Sequence, residues 1–264
     1  MTLDYLAHLR DDSARFAAVL RDAPTDGPVP SCPDWQSDDL LWHLAEVQWF
    51  WGTIVRDQVT DPESIEHPDR PADRAALLAF FDEATEELQA ALADTDPAEH
   101  RWTWSSSDQT AGFIRRRQAH EALIHRIDAE LTADVQRAPM DAELASDGVD
   151  EALRIMFGGC PPWGRIDPEP GVTLRVRATD TGRSWHVTLG TFSGTDPDGK
   201  VYSGEDDIVV ADEDTGEDTA ATIEGTAADL DCWLWGRPTS RALLRTGDEA
   251  VHERFQGIVS QGVD

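Results

Sequence analysis

The hydrophobic periodicity of the chain changes at Ala138-Pro139, and this change constrains the fold more than any other feature. Before it, apolar residues recur at the helical spacing of three and four residues in several long stretches. After it, two segments alternate apolar and polar residues strictly, as half-buried strands do. The chain of 264 residues is also long for one domain of about 150 residues. We therefore predict two domains, residues 1–137 and residues 138–264.

The first half of the chain predicts a four-helix bundle. Helices are expected over residues 2–23, from a cap at Ser37, over residues 73–94 and over residues 115–130, separated by short polar or proline-containing segments. Helices of this length joined by short loops pack as a bundle, and the core of a bundle is a usual place for a metal held by facing helices.

The second half predicts a smaller α+β domain whose sheet is mostly antiparallel. Strands at 172–179 and 184–190 flank the turn sequence D-T-G-R, which indicates a hairpin. The runs 193–207 and 212–218 are rich in acidic residues and are interpreted as loops, together spanning the acidic region 194–218. The remaining expected elements are a helix at 141–157, weaker strands at 208–211 and 219–224, and helices at 226–235 and 248–259.

The fourth predicted helix carries a pair of side chains that could hold a metal ion. Glu121 and His125 lie four residues apart, so both project from one face of the helix. Asp128 follows three residues later on that face, where its carboxylate can accept the second imidazole N–H of His125. The pair His120 and His125 is five residues apart, about 140° around the helix, and cannot share a metal as the histidines of zinc proteases do.

Two other interpretations of these residues stay open from the sequence alone. Glu121, His125, Arg126 and Asp128 could form an ordinary lattice of ion pairs on a solvated helix face. His43 lies on an apolar stripe of the second helix, where a histidine is more often a hydrogen-bonded core residue than a ligand. The tryptophans of the first half could likewise be core residues or walls of a pocket. These are Trp42, Trp49, Trp51, Trp102 and Trp104.

The charge balance favours a small-molecule partner. The chain has 52 acidic and 22 basic residues, a formal net charge of −30, whereas nucleic acids and anionic membranes are bound by basic patches. We therefore expect no nucleic acid and no membrane partner. Three widely spaced cysteines indicate neither a disulfide framework nor a thiolate metal site. The absence of a signal-like N-terminus or a long apolar run predicts a cytoplasmic protein.

Two motifs resemble those of a known family. The segments S-C-P-D-W-x-x-x-D-L-x-x-H-L-x-x-V and R-R-x-x-H-E-x-x-x-H-R-x-D-A-E, with W-T-W between them, resemble the mycothiol-dependent maleylpyruvate isomerase family. The resemblance implies a DinB-like metal-binding bundle followed by a sterol-carrier-like domain. It also implies a zinc ion, or another divalent metal, on His43, Glu121 and His125, with mycothiol or a related thiol as cofactor. An arginine near the family's C-terminus has its nearest counterpart in Arg237, which would be catalytic.

The resemblance implies a metal-dependent isomerase or thiol S-transferase. A metal-bound thiolate would add to an unsaturated acid or another small electrophile, and the outcome would be cis–trans isomerisation or transfer of the thiol. Two alternatives remain. The same three ligands would suit a hydrolase that activates zinc-bound water, and the bundle could instead be the scaffold of a non-catalytic metal-binding or ligand-binding protein.

Overall fold

The computed structural model describes residues 3–213 and 216–262 and separates into two compact units, Met1–Ala138 and Pro139–Asp264. Each unit contains its own clusters of buried apolar side chains. Within the described ranges, no helix combines the length and the apolar character needed to cross a lipid bilayer.

The first unit contains four long helices. Side-chain caps begin three of them: Asp4, Asp73 and Thr110 each accept a hydrogen bond from a backbone N–H in the first helical turn. The predicted helix start at Thr2 lies outside the described residues, and the fourth helix begins before the predicted residue 115. The helices are α1 (Tyr5–Asp22), α2 (Ser37–Asp57), α3 (Arg74–Asp94) and α4 (Ala111–Thr132), with a short 3₁₀ turn at Pro62–Ser64.

The start of α2 differs from the prediction in its capping residue. Ser37 is the first helical residue, and Gln36 occupies the cap position. The Asp39 carboxylate accepts the backbone N–H of Gln36 at 2.8 Å, so the acidic residue in the first turn closes the helix end. Ser37 is fully buried and its hydroxyl instead accepts a hydrogen bond from Arg74 at 2.9 Å.

Helix packing in this unit brings α2 beside α4. The largest contacts are those of α2 with α3 and of α1 with α4, and α2 also contacts α4 directly. At the first of these interfaces, a β-carbon on Gly52 would lie 3.4 Å from the backbone of Leu88, so a small residue permits the close approach of α2 and α3. The α2–α4 contact places His43 near the polar face of α4.

The second unit is built on a five-stranded sheet with the strand order β3-β2-β1-β4-β5. The pairs β1–β2, β2–β3 and β4–β5 are antiparallel, and only β1–β4 is parallel. This confirms the predicted α+β class with a mostly antiparallel sheet. The strands are β1 (Gly164–Ala178), β2 (Ser184–Thr195), β3 (Val201–Val210), β4 (Ala221–Gly225) and β5 (Leu244–Gly247).

Helices α5 (Ala142–Glu151), α6 (Ala227–Leu234) and α7 (Glu249–Val259) complete this unit, and α5 continues as a π-helical segment, Ala152–Phe157. Alternate residues of the central strands point into the core, as the sequence alternation predicted. The inward residues share one buried cluster with the helices. It includes Leu174, Val176, Val187, Leu189, Leu230 and Phe255.

The interpretation of residues 193–207 as an acidic loop was wrong except at 196–200, which connect β2 to β3. Val201–Val210 forms β3, which pairs with β2 from Thr195↔Val201 to Val187↔Val210. Strand β3 lies at the edge of the sheet, and most of its side chains are at least partly exposed. Acidic residues at these positions therefore reduce the stability of the fold little, and they also discourage pairing with another chain. Of the second acidic run, 212–218, residues 214 and 215 lie outside the described part of the chain.

Candidate metal centre

Helices α2 and α4 bring three potential metal ligands together. Oε1 of Glu121 lies 3.1 Å from Nε2 of His125 and 3.4 Å from Nε2 of His43. One ligand atom from each of the three residues falls within 4.8 Å of the other two. Glu121 and His125 are neighbours because they lie one helical turn apart, whereas His43 reaches them only because α2 packs against α4.

The donor set and its spacing suit a divalent metal. Two imidazoles and one carboxylate are a ligand combination of zinc sites that keep an open position. For metal–ligand bonds of about 2.0–2.1 Å in tetrahedral geometry, neighbouring donors lie about 3.3 Å apart. Two of the three donor separations, 3.1 and 3.4 Å, are close to that value, and all three ligand atoms lie within 4.8 Å of one another, so the three side chains are close enough to bind one ion.

Asp128 orients His125 from the side away from Glu121. Its Oδ2 lies 2.9 Å from Nδ1 of His125, and its Oδ1 accepts a hydrogen bond from the Ser31 hydroxyl at 2.5 Å. The Asp128 side chain is fully buried, so both carboxylate oxygens are satisfied inside the protein. With Nδ1 bonded to Asp128, Nε2 is the nitrogen that His125 presents to a metal.

The charges of the cluster shift two pKa values strongly. Burial disfavours the ionised form of Glu121, but hydrogen bonds and charge from His125, His43 and Arg117 outweigh it and hold the Glu121 pKa well below its usual range. Burial also disfavours charged His125, yet Asp128 and Glu121 together raise the pKa of His125 to about 9. In the metal-free protein, a proton on His125 therefore provides the positive charge that a metal would otherwise supply.

The ring of Trp35 packs beside His43 and His125, and the sequence analysis did not identify it. Its ring centroid lies 4.7 Å from that of His43 and 6.4 Å from that of His125. Trp35 belongs to the loop that precedes α2, four residues after Ser31. Its place in the S-C-P-D-W motif was a signal for it, but the loop has no periodicity that would indicate where the ring points.

The other candidate residues lie in different surroundings. His120 is buried on α4, with its ring 6.3 Å from that of Tyr5, and is not one of the three clustered candidate ligands. The five tryptophans considered from the sequence have ring contacts with other aromatic residues of the bundle and its loops. These contacts are Trp42–Phe80, Trp49–His67, Trp51–Trp102 and Trp104–Phe113.

Arg237 follows the end of α6 in the second unit. Gly236 adopts a left-handed conformation with a φ of 71°, which reverses the chain direction after the helix. The backbone N–H of Arg237 then donates to the Cys232 carbonyl at 2.7 Å, and its guanidinium donates to the Trp235 carbonyl at 2.5 Å. These contacts are those of a helix-terminal cation.

Metal affinity is expected to rise with pH, because His125 must lose its proton before it can bind a metal. Below about pH 9, the His125 pKa, the affinity should increase by about tenfold per pH unit. The raised pKa of His125 also stabilises the metal-free fold. This contribution to the free energy of unfolding is complete below about pH 6.5 and is lost as the pH rises through about 9. Calorimetric titration with Zn²⁺ in buffers of different ionisation enthalpy would measure the released proton. A zinc affinity that does not change between about pH 6 and pH 9 would contradict the assignment of His125 as a metal ligand with a raised pKa.

Two protein-family models together match most of the chain. The family model described as the mycothiol maleylpyruvate isomerase N-terminal domain matches residues 6–130, and the model described as the MDMPI C-terminal domain matches residues 143–254. A comparison with curated protein sequences found no significant match.

Two similar solved structures share the fold of this chain. They are crystal structures of the mycothiol-dependent maleylpyruvate isomerase, with a TM-score of 0.57 at 14% identity, and of a histidine-to-alanine mutant of it, with a TM-score of 0.60 at 13% identity. Each match covers 93% of both chains. At this level of identity the likeness establishes the fold alone.

Proposed function

Because the chain belongs to the mycothiol maleylpyruvate isomerase family, we propose that it is a metal-dependent enzyme that uses mycothiol to transform a small electrophile. The reaction would be cis–trans isomerisation of an unsaturated acid or transfer of the thiol to an electrophilic carbon. The observation that carries the proposal is the convergence of His43, Glu121 and His125 within 4.8 Å, in a domain that matches the family model.

Three side chains would hold the metal, which we propose to be zinc. Two histidines and one glutamate leave a fourth tetrahedral position for an external ligand. When bound there, metal and thiol together supply a thiolate at neutral pH, which can add reversibly to an activated C=C bond. The protein would then need no cysteine nucleophile of its own.

The residues around the ligands have separate proposed roles. Asp128 would accept a hydrogen bond from Nδ1–H of His125 and so keep Nε2 directed at the metal, and the Ser31 hydroxyl donates to the other oxygen of Asp128. Trp35 shields the outer faces of His43 and His125, which lowers the local dielectric and strengthens the electrostatic interactions of the site. Neither task requires Asp128 or Trp35 to touch the substrate.

Arg237 is our candidate for binding a substrate carboxylate. The guanidinium presents paired N–H donors that match a carboxylate, and it keeps its charge at any physiological pH. Such a fixed charge would also stabilise the negative charge that develops when a nucleophile adds to an unsaturated acid. The competing role is local: Arg237 donates to the Trp235 carbonyl at the end of α6.

The test is turnover by the zinc-loaded protein of maleylpyruvate and of a simple alkylating electrophile, each with and without mycothiol. We expect turnover that depends on the thiol. Equal hydrolytic turnover without any thiol would favour the hydrolase instead. No turnover with either substrate under any condition, together with tight zinc binding, would favour a binding protein.

The variant Arg237→Lys separates the two roles of Arg237 in the same assay. Lysine keeps the positive charge but loses the paired donors, so we expect turnover of maleylpyruvate to fall roughly tenfold to a hundredfold, at most the loss typical of removing one oxyanion donor. Zinc content should be unchanged. Unchanged turnover would assign Arg237 to the helix end alone.

A further inference from the structure

The two carboxylate oxygens of Glu121 have different partners. Oε1 faces Nε2 of His125 and Nε2 of His43, at 3.1 and 3.4 Å. Oε2 accepts a hydrogen bond from the guanidinium of Arg117 at 2.7 Å. One oxygen is thus directed at the metal ligands and the other at a cation.

The Arg117–Glu121 pair is well placed to persist. Both residues lie on α4 four positions apart, so the helix itself brings them together. Their side chains are only 6% and 17% exposed, which limits screening by water. A hydrogen bond of 2.7 Å between two charged groups is at the short, strong end of the range. Arginine also cannot lose its proton or bind a metal itself.

The number of Glu121 oxygens on the metal decides which coordination position an external ligand would take. If both oxygens bound, they and the two histidines would provide four donors, and an external thiol would have to be a fifth ligand. If one oxygen binds, three protein donors leave the fourth position for an external thiol. The hydrogen bond from Arg117 withdraws Oε2 and favours the second arrangement.

We propose that Arg117 is a positioning residue that restricts Glu121 to one metal-binding oxygen and so keeps the fourth coordination position available for the thiol. The inference rests on the proposed function, because it assumes a metal on His43, Glu121 and His125. It assigns a role within that site to a buried arginine that would otherwise be a structural ion-pair partner.

Cobalt(II) substitution tests the inference, because the visible absorption of this ion weakens as its coordination number rises. In Arg117→Met the hydrogen bond is lost, and Oε2 can bind the metal as an additional donor. The coordination number would rise, so the cobalt absorption should be weaker than in wild type. X-ray absorption should show one additional oxygen in the first shell. Mycothiol should bind at least about tenfold more weakly, the lower end of the effect of losing an outer partner of a metal ligand. Arg117→Lys keeps a cationic donor and should restore the visible absorption, the X-ray absorption and the mycothiol affinity in part.

The possible failures of this experiment are distinguishable. If wild type binds no cobalt at His43, Glu121 and His125, the proposed function is wrong and the inference falls with it. If wild type binds cobalt and Arg117→Met shows the same spectrum and the same thiol affinity, only the inference is wrong. Should the variant not fold, a structure of the zinc-loaded wild type decides: two Glu121 oxygens within about 2.2 Å of zinc would overturn the inference.

Discussion

The variants His43→Ala and His125→Ala are expected to lose their metal. Each substitution removes one of only three protein ligands, so the affinity for zinc should fall by more than about a hundredfold, beyond the effect of losing an outer partner. Elemental analysis after dialysis should find about one zinc per wild-type chain and almost none in either variant. His125→Ala also leaves buried Asp128 without its histidine partner, so it should destabilise the fold more than His43→Ala does.

A matched control for these variants is His120→Gln. His120 is the other histidine of the H-E-x-x-x-H segment and lies on the same helix, but it is not one of the clustered ligands. Its replacement should leave the zinc content at the wild-type level, whatever it does to stability. Full zinc occupancy in His43→Ala or His125→Ala would refute the ligand set.

The variant Arg126→Met is expected to destabilise the fold by about 3–5 kcal/mol, the usual cost of removing one partner of a buried ion pair. The Arg126 side chain is 2% exposed and lies 2.9 Å from Glu130 Oε2 and 2.7 Å from Asp12 Oδ1. Glu130 is fully buried. Burial raises the pKa of Asp12, and the charge of Arg126 is the main opposing influence.

Urea unfolding of the metal-free protein would measure this loss for Arg126→Met. Arg10→Ala is the control, because Arg10 pairs with Asp11 on the exposed surface of α1 and should change the free energy of unfolding by less than about 1 kcal/mol. A loss below about 1 kcal/mol in Arg126→Met as well would show that this buried network contributes little to stability.

The parts of the site that lie within one helix were accessible from the sequence. Glu121, His125 and Asp128 follow one helical face, so spacing alone placed them together. Arg117 lies four residues before Glu121, and the same spacing argument could have identified it. His43 is different, because only the packing of α2 on α4 brings it to the site, and the sequence analysis reached it through family resemblance.

The parts of the fold that were predicted poorly lack a buried face. Residues 201–207 of strand β3 were assigned to a loop because the acidic residues there are mostly exposed, whereas 208–211 were predicted as a weak strand. Strand β5 was missed because all four of its residues are exposed. Backbone pairing with a neighbouring strand holds both of them, and such pairing leaves no hydrophobic pattern in the sequence. The long helices and the central strands bury regular stripes of side chains, and these were predicted.

The loop between α1 and α2 touches the metal centre at two points, through the hydrogen bond from Ser31 to Asp128 and through the ring of Trp35 against His43 and His125. If the three candidate ligands bind a metal, the order of this loop and the occupancy of the site would consequently be coupled equilibria. If ordering of the loop raises the metal affinity by some factor, metal binding must raise the equilibrium constant for loop ordering by the same factor. The residues 23–36 would then open less often when the metal is bound, and the residence time of the metal would depend on how often they open.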